Sequence, residues 1–248
     1  MSDFRNGFTN VAPAAADMSV DAGLRSFMLG VYNKLALGLL VAGGLAYVTG
    51  NVPAVQQLFF AQAADGRIGL TLLGMVVQFL PLVLLFGSMF FMKNPTARGV
   101  NMLYWAVVAS IGAGMGILFL RYTGGSLAST FLVTAAAFGG LSLYGYTTKK
   151  DLSAFGTFLI MGLVGLIVAS LLNLFFQSGV MELVISIVGV LLFAGLTAYD
   201  TQRTKSMYAQ VAGTADEGRT VIMSALSLYL DFINMFLFIL RIFGSSRS

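Results

Sequence analysis

The sequence predicts an all-α fold, a polytopic membrane protein whose seven transmembrane helices form one bundle. Three observations predict it. Of the 248 residues, 58% are hydrophobic and only 10% charged, against about 45–50% and about 25% in soluble domains. The apolar residues fall in seven runs, each near the roughly 20 residues that a bilayer-spanning helix needs. The runs do not alternate in polarity every second residue, as the strands of a membrane barrel would. Lipid cannot satisfy backbone N–H and C=O groups, so unalternating runs of this length must be helical.

The elements follow in order. Residues 1–24 hold Asp3, Arg5, Pro13, Asp17 and Asp21. With no apolar core behind a basic start, this is an N-terminal arm rather than a signal peptide. Spans are expected at 27–50, 68–92, 100–120, 126–147, 152–175, 181–203 and 219–241. Asn51 and Pro53 close the first, and Lys93-Asn94-Pro95 the second. Gly124-Gly125-Ser126 separates the third from the fourth, Lys149-Lys150-Asp151 the fourth from the fifth, and Gln177-Ser178-Gly179 the fifth from the sixth. A polar stretch from Met207 to Gly218 precedes the last. The division is an arm (1–24), a seven-helix transmembrane domain (25–243) and a short polar tail (244–248). Glycines inside the spans, including Gly112 and Gly116, Gly139 and Gly140, and Gly156, Gly162 and Gly165, are read as close helix contacts. Gln78 and Asn173 are read as interhelical hydrogen bonds. No strong internal repeat supports an inverted-repeat transporter.

Basic residues set the orientation. With a cytoplasmic N-terminus, that side holds Arg5, Arg25, Lys34, Lys93, Arg98, Lys149, Lys150, Arg203, Lys205 and Arg219. The other side holds Arg67, Arg121, Arg241 and Arg247. Seven spans then place the C-terminus outside. A last helix that crosses incompletely would instead keep Arg241 and Arg247 inside.

Several function classes drop out. There is no cysteine and no histidine, which removes thiol nucleophiles, thiolate metal sites, imidazole bases and histidine pH sensing. The net charge of +4 is spread over short loops, with no basic face or motif for nucleic acid. The last span has no lysine for a retinal Schiff base. An intramembrane aspartyl protease would carry Gly-x-Gly-Asp at its second acid, where this chain has Leu228-Tyr-Leu-Asp. The chain is not expected to be an enzyme.

Two acids stand at membrane depth, Asp200 in the sixth span and Asp231 near the middle of the seventh. A carboxylate at the bilayer centre costs about 2.5–3.5 kcal/mol even on a lenient scale. Counted from the shared end of these antiparallel helices, the two differ in depth by roughly 6 Å at 1.5 Å per residue. In contact, they cannot both ionise cheaply and would titrate as a unit. That is a proton sensor without histidine, and, deprotonated, an ion gate that attracts a cation. With Thr201, Asn234 or water, Asp200 and Asp231 would hold Ca²⁺ only transiently, since Ca²⁺ prefers about 6–8 oxygens. Arg203, one turn beyond Asp200, offers the alternative of a simple ion pair.

These residues resemble a known family. Ala198-Tyr-Asp-Thr-Gln, Leu228-Tyr-Leu-Asp-Phe-Ile-Asn-Met-Phe, a closing Leu240-Arg-Ile, and Phe138-Gly-Gly-Leu-Ser-Leu-Tyr-Gly-Tyr-Thr-Thr-Lys-Lys-Asp-Leu are similar to segments of the Bax inhibitor-1 family in a bacterial form. The resemblance covers roughly residues 25–243. It implies a seven-helix fold with the last helix central, and a pH-dependent calcium leak in a bacterial inner membrane. The paired acidic sensor falls on Asp200 and Asp231, with Ca²⁺ as permeant ion and no cofactor. It also implies a partner beyond the bilayer, an inner-membrane ATP-dependent protease that bacterial members modulate. The family's basic latch on the second helix has no counterpart, because no Arg or Lys lies between Arg67 and Lys93. The competing reading is a non-transporting regulator that binds such a protease through the arm 1–24.

Overall fold

The computed structural model describes residues 13–62, 68–92 and 95–247. Helix α1 spans Pro13–Asn51, and a short α2, Pro53–Phe59, follows with proline at its start. A small antiparallel hairpin comes next, β1 (Phe60–Gln62) on β2 (Ile68–Leu70), with Phe60 opposite Leu70. Then come α3 (Leu72–Phe91), α4 (Ala97–Gly114), α5 (Ile117–Arg121), α6 (Gly124–Thr147), α7 (Ser153–Phe176), α8 (Gly179–Val211) and α9 (Glu217–Phe243). Seven helical stretches are long and apolar enough to cross a membrane, with α4 and α5 together forming one of them.

The expected spans agree with these helices to within a few residues at most ends. Three differences have physical reasons. The helix of the first span begins at Pro13, inside the expected arm; residues 1–12 of that arm lie outside the described residues. Proline suits a first helical turn, where its missing N–H is no loss. The second span starts later than residue 68, because 68–70 pair as a strand and Thr71 caps α3 by accepting from the Gly74 N–H at 3.0 Å. α8 runs about two turns past residue 203, to Val211. Lys93, Asn94 and Arg67 lie outside the described residues.

The third span is broken at Met115–Gly116. A break inside a membrane frees backbone groups that must find partners. One is met from α1: the Thr49 hydroxyl donates to the Ala113 carbonyl at 3.0 Å. Close backbone approach makes this possible. A Cβ on Gly50 would stand 2.6 Å from the Gly116 carbonyl oxygen, and one on Gly112 would stand 2.6 Å from the Ala42 Cα. The Gly112 and Gly116 pair thus serves helix packing, as its spacing suggests. Gly139 and Gly140 do not; a Cβ on either meets nothing within 4 Å.

α9 is the central helix. It packs on α1, α4, α6 and α8, and Leu228, Tyr229 and Met235 on it are fully enclosed. It also runs the length of the bundle. Arg241 meets Glu182 at the start of α8, 3.6 Å away. The tail then straps the far end of the bundle: the Arg247 N–H donates to the Arg121 carbonyl, and its guanidinium to the Phe119 carbonyl, both at 2.8 Å. The chain's described ends therefore lie at opposite ends of the bundle.

Candidate functional site

Asp200 and Asp231 sit on α8 and α9, the most extensively paired helices of the fold. Asp200 lies eleven residues before the end of α8 and Asp231 fourteen after the start of α9. The offset is three residues, about 4.5 Å of helical rise. Both are buried, at 9% and 5% exposure. Both line one cavity of ≈ 670 Å³, whose other walls come from α3, α4, α5 and α7. Their charges are within electrostatic range of each other.

The two carboxylates differ in their partners. The Ser227 hydroxyl donates to Asp200 Oδ2. Ser227 stands four residues before Asp231 on the same face of α9, so one helix supplies both the second acid and the anchor of the first. The signal the sequence carries for this role is the i, i+4 spacing of Ser227 to the buried Asp231. Asp231 Oδ2 is buried with no hydrogen-bond partner among the described residues. An unmet buried acceptor costs about 1–3 kcal/mol. A proton, a water or a passing cation is the chemistry that answers it.

The supporting residues divide. Arg203 and Asn234 line the same cavity, and Asn234 donates to the Leu230 carbonyl at 2.8 Å. Arg203 is within electrostatic range of Asp200, but no ion pair between them forms within 4.0 Å among the described residues. Asp200 is thus held by serine rather than paired with Arg203. Thr201 is elsewhere. Fully buried, it donates to the Ser142 hydroxyl on α6 at 3.4 Å. The next residue along a helix points about 100° away, so a neighbour of Asp200 in sequence faces a different helix. Gln78 of α3 lines the cavity. Asn173 makes a local bond instead, accepting from the Ser178 N–H at 3.1 Å.

The rest of the Ala198-Tyr-Asp-Thr-Gln segment is structural. The Ala198 carbonyl abuts Gly145 of α6, and Tyr199 packs on Gly156 of α7. Gln202 clamps the α6–α7 connection: its Oε1 accepts from the Leu152 N–H at 2.8 Å, and its Nε2 donates to the Lys150 carbonyl at 2.7 Å. Beside that clamp, the Ser153 side chain and then its N–H, which donates to Asp151 Oδ1 at 2.9 Å, hold the Asp151 carboxyl below the ordinary value. This contribution is complete above the ordinary carboxylate range and fades as pH falls through the depressed value. Replacing Gln202 by alanine should remove both clamp bonds, destabilise the protein by about 1–3 kcal/mol and speed hydrogen exchange at the Leu152 amide. Exchange there at the wild-type rate would refute the clamp.

A second cavity of ≈ 400 Å³ adjoins the first at Asp200, Arg203 and Ser227 and continues to Arg219 and Thr220, toward the α8–α9 connection. In the other direction polar lining stops at Asn234, and Ile117, Leu118 and Leu237 follow. No cluster of three or more acidic side chains occurs among the described residues. Two carboxylates with a serine and an amide fall short of the oxygen shell of a tight Ca²⁺ site.

Comparisons with known proteins bear on the family of the chain. Residues 24–248 match the family model described as "Inhibitor of apoptosis-promoting Bax1". An uncharacterized protein of Caulobacter vibrioides is 54% identical over the whole of both chains. The inner membrane protein YbhL of Escherichia coli is 41% identical over 91% of this chain and 94% of its own length. A Rickettsia prowazekii protein is 42% identical over 92% of each. With seven apolar crossings and a family match over nearly its whole length, the chain belongs to the Bax inhibitor-1 family of multi-pass membrane proteins.

Proposed function

We propose that the protein is a pH-sensitive cation leak, with Ca²⁺ as the permeant ion, gated by Asp200 and Asp231. The observation that supports this reading most is that both acids, buried on adjacent helices, line one cavity that continues toward the α8–α9 connection. Two carboxylates in a low-dielectric site cannot both ionise cheaply, so their shared protonation changes with pH. Ionised, they attract a cation; protonated, they do not. The other charged groups lining these cavities are Arg203 on α8 and Arg219 on α9. From α3 and α4 come only neutral groups such as Gln78 and Ser110.

In this reading the apolar end at Ile117, Leu118 and Leu237 is the closed gate, since an apolar constriction stops ions by excluding water. Conduction needs those side chains to separate, and the break between α4 and α5 lies beside them. In place of a basic latch on the second helix, the first acid is tied by Ser227. We place the protein in a bacterial inner membrane with its N-terminus in the cytoplasm, as the ten-to-four distribution of basic residues indicates.

The test is Ca²⁺ flux into dye-loaded vesicles from mildly acidic to mildly alkaline pH. Wild type should show flux that varies with pH. Asp200→Asn should cut the pH dependence roughly tenfold, equivalent to about 1.4 kcal/mol. A protein that only docks on a membrane protease needs neither acid, so absent wild-type flux, or flux and pH dependence left unchanged by Asp200→Asn, would sink the leak. Ser227→Ala frees Asp200 Oδ2 and should shift the midpoint of the pH response while leaving the maximal flux within about twofold. A loss of flux equal to that of Asp200→Asn would show instead that the serine is part of the conduction path.

A further inference from the structure

α1 and α6 both pack on α9 but scarcely touch each other. Between them runs a groove of ≈ 860 Å³ with Phe138 and Phe232 on its floor and Leu35, Leu39 and Ala135 on its walls. Phe232 is 2% exposed and Phe138 5%, so the floor is sealed. The walls are open: a Cβ on Gly139 meets nothing within 4 Å. From Arg25 to Leu39 is fourteen residues of α1, about 21 Å. Half a bilayer, headgroups included, is about 20–22 Å. The groove is thus one leaflet deep.

One guanidinium stands at its mouth. Arg25 lines it on the α1 side. On the α6 side stands Tyr146, over whose ring the Lys205 ammonium sits at 5 Å or less, 4.9 Å from the centroid. Lys205 also donates to the Tyr146 carbonyl at 2.9 Å. Tyrosines at this level suit a membrane interface, with an apolar ring and a polar tip.

We propose that this groove is a binding site for one glycerophospholipid, with an acyl chain lying between α1 and α6 and the phosphate held at Arg25. A membrane-facing cleft with a sealed aromatic floor is filled by hydrocarbon, and a guanidinium binds phosphate oxygens in a charge-assisted, two-point contact. The lipid touches Phe232, the neighbour of Asp231 on α9, on a face apart from the acid-lined cavity. The site does not depend on ion conduction, and its test reads lipid alone.

The experiment is native mass spectrometry of the detergent-purified full chain, titrated with phosphatidylglycerol and with diacylglycerol of the same chains. Wild type should retain one phosphatidylglycerol and bind diacylglycerol at least tenfold more weakly. Gly139→Trp fills the groove and should lose the lipid. Gly165→Trp, on α7 and also in open space, should keep it. Arg25→Gln should bring phosphatidylglycerol down to the diacylglycerol level. Retention by Gly139→Trp at the wild-type level, in protein with an unchanged unfolding midpoint, overturns the site. Equal binding of the two lipids by wild type overturns the phosphate contact. Retention of several lipids with no dependence on any variant shows only a general lipid belt and also overturns it.

Discussion

Asp231→Leu should make the protein more stable and abolish the proposed Ca²⁺ flux. The carboxyl it replaces is 5% exposed and has an oxygen with no hydrogen-bond partner among the described residues. Such a group at membrane depth costs about 2.5–3.5 kcal/mol on the lenient scale. Replacing a poorly satisfied buried polar group by an apolar one is often neutral or stabilising. The cavity of ≈ 670 Å³ gives the added methyl groups room, so overpacking does not cancel the gain. The expected result is a stability gain of about 1–3 kcal/mol, read as a higher unfolding midpoint in detergent. Vesicle flux should fall to that of protein-free vesicles. A structural acid would give the opposite, a lower midpoint. A variant that is stabilised but still conducts would remove Asp231 from the ion path.

Gly112→Val should prevent folding, while Gly139→Val should be nearly silent. The chemistry of the change is the same, and both glycines lie in membrane-spanning helices. Their surroundings differ. At Gly112 the first added carbon would stand 2.6 Å from the Ala42 Cα and 2.8 Å from its carbonyl oxygen. These are backbone atoms, which cannot rotate away. Overpacking typically costs about 1–3 kcal/mol where side chains can shift. Here α1 and α4 must separate, which also draws Thr49 from the Ala113 carbonyl, so a loss of more than about 3 kcal/mol is expected. At Gly139 the change meets open space and should stay within about 0.5 kcal/mol. The measurement is the yield of monodisperse protein and its unfolding midpoint. Equal behaviour of the two variants would contradict the close crossing of α1 and α4.

The features most legible in the sequence were those where one strong physical term acts alone. Apolar runs of bilayer length mark the crossings, because nothing competes with lipid as the solvent for them. Asp231 stands out for the same reason, as a charge with no basic residue within a turn of it, and Asp200, with Arg203 one turn away, stands out less. Readings that needed two elements at once fared worse. The α2 turn and the β1–β2 hairpin are short, and their pairing depends on contacts no periodicity encodes. The break at Met115–Gly116 sits in an unbroken apolar run, and Thr49, which relieves it, lies on another helix. Adjacency groups Thr201 with Asp200, yet its direction on α8 sends it to Ser142. A serine in a membrane helix, such as Ser227, is ordinary until the residue facing it is known. Gly139 and Gly140 show the converse: a pair of small residues that looks like a contact meets open space, with Gly139 on the wall of a groove.

The tail that straps α5 has a practical meaning for anyone handling the protein. Ser246 bridges Tyr122, and Arg247 reaches both Arg121 and Phe119. A reporter or affinity handle fused after Ser248 would tug at that clasp, next to the interrupted crossing, and would disturb the molecule while seeming to extend a loose end. Handles belong at the opposite terminus, ahead of Pro13, where the long first helix keeps them distant from the clasp.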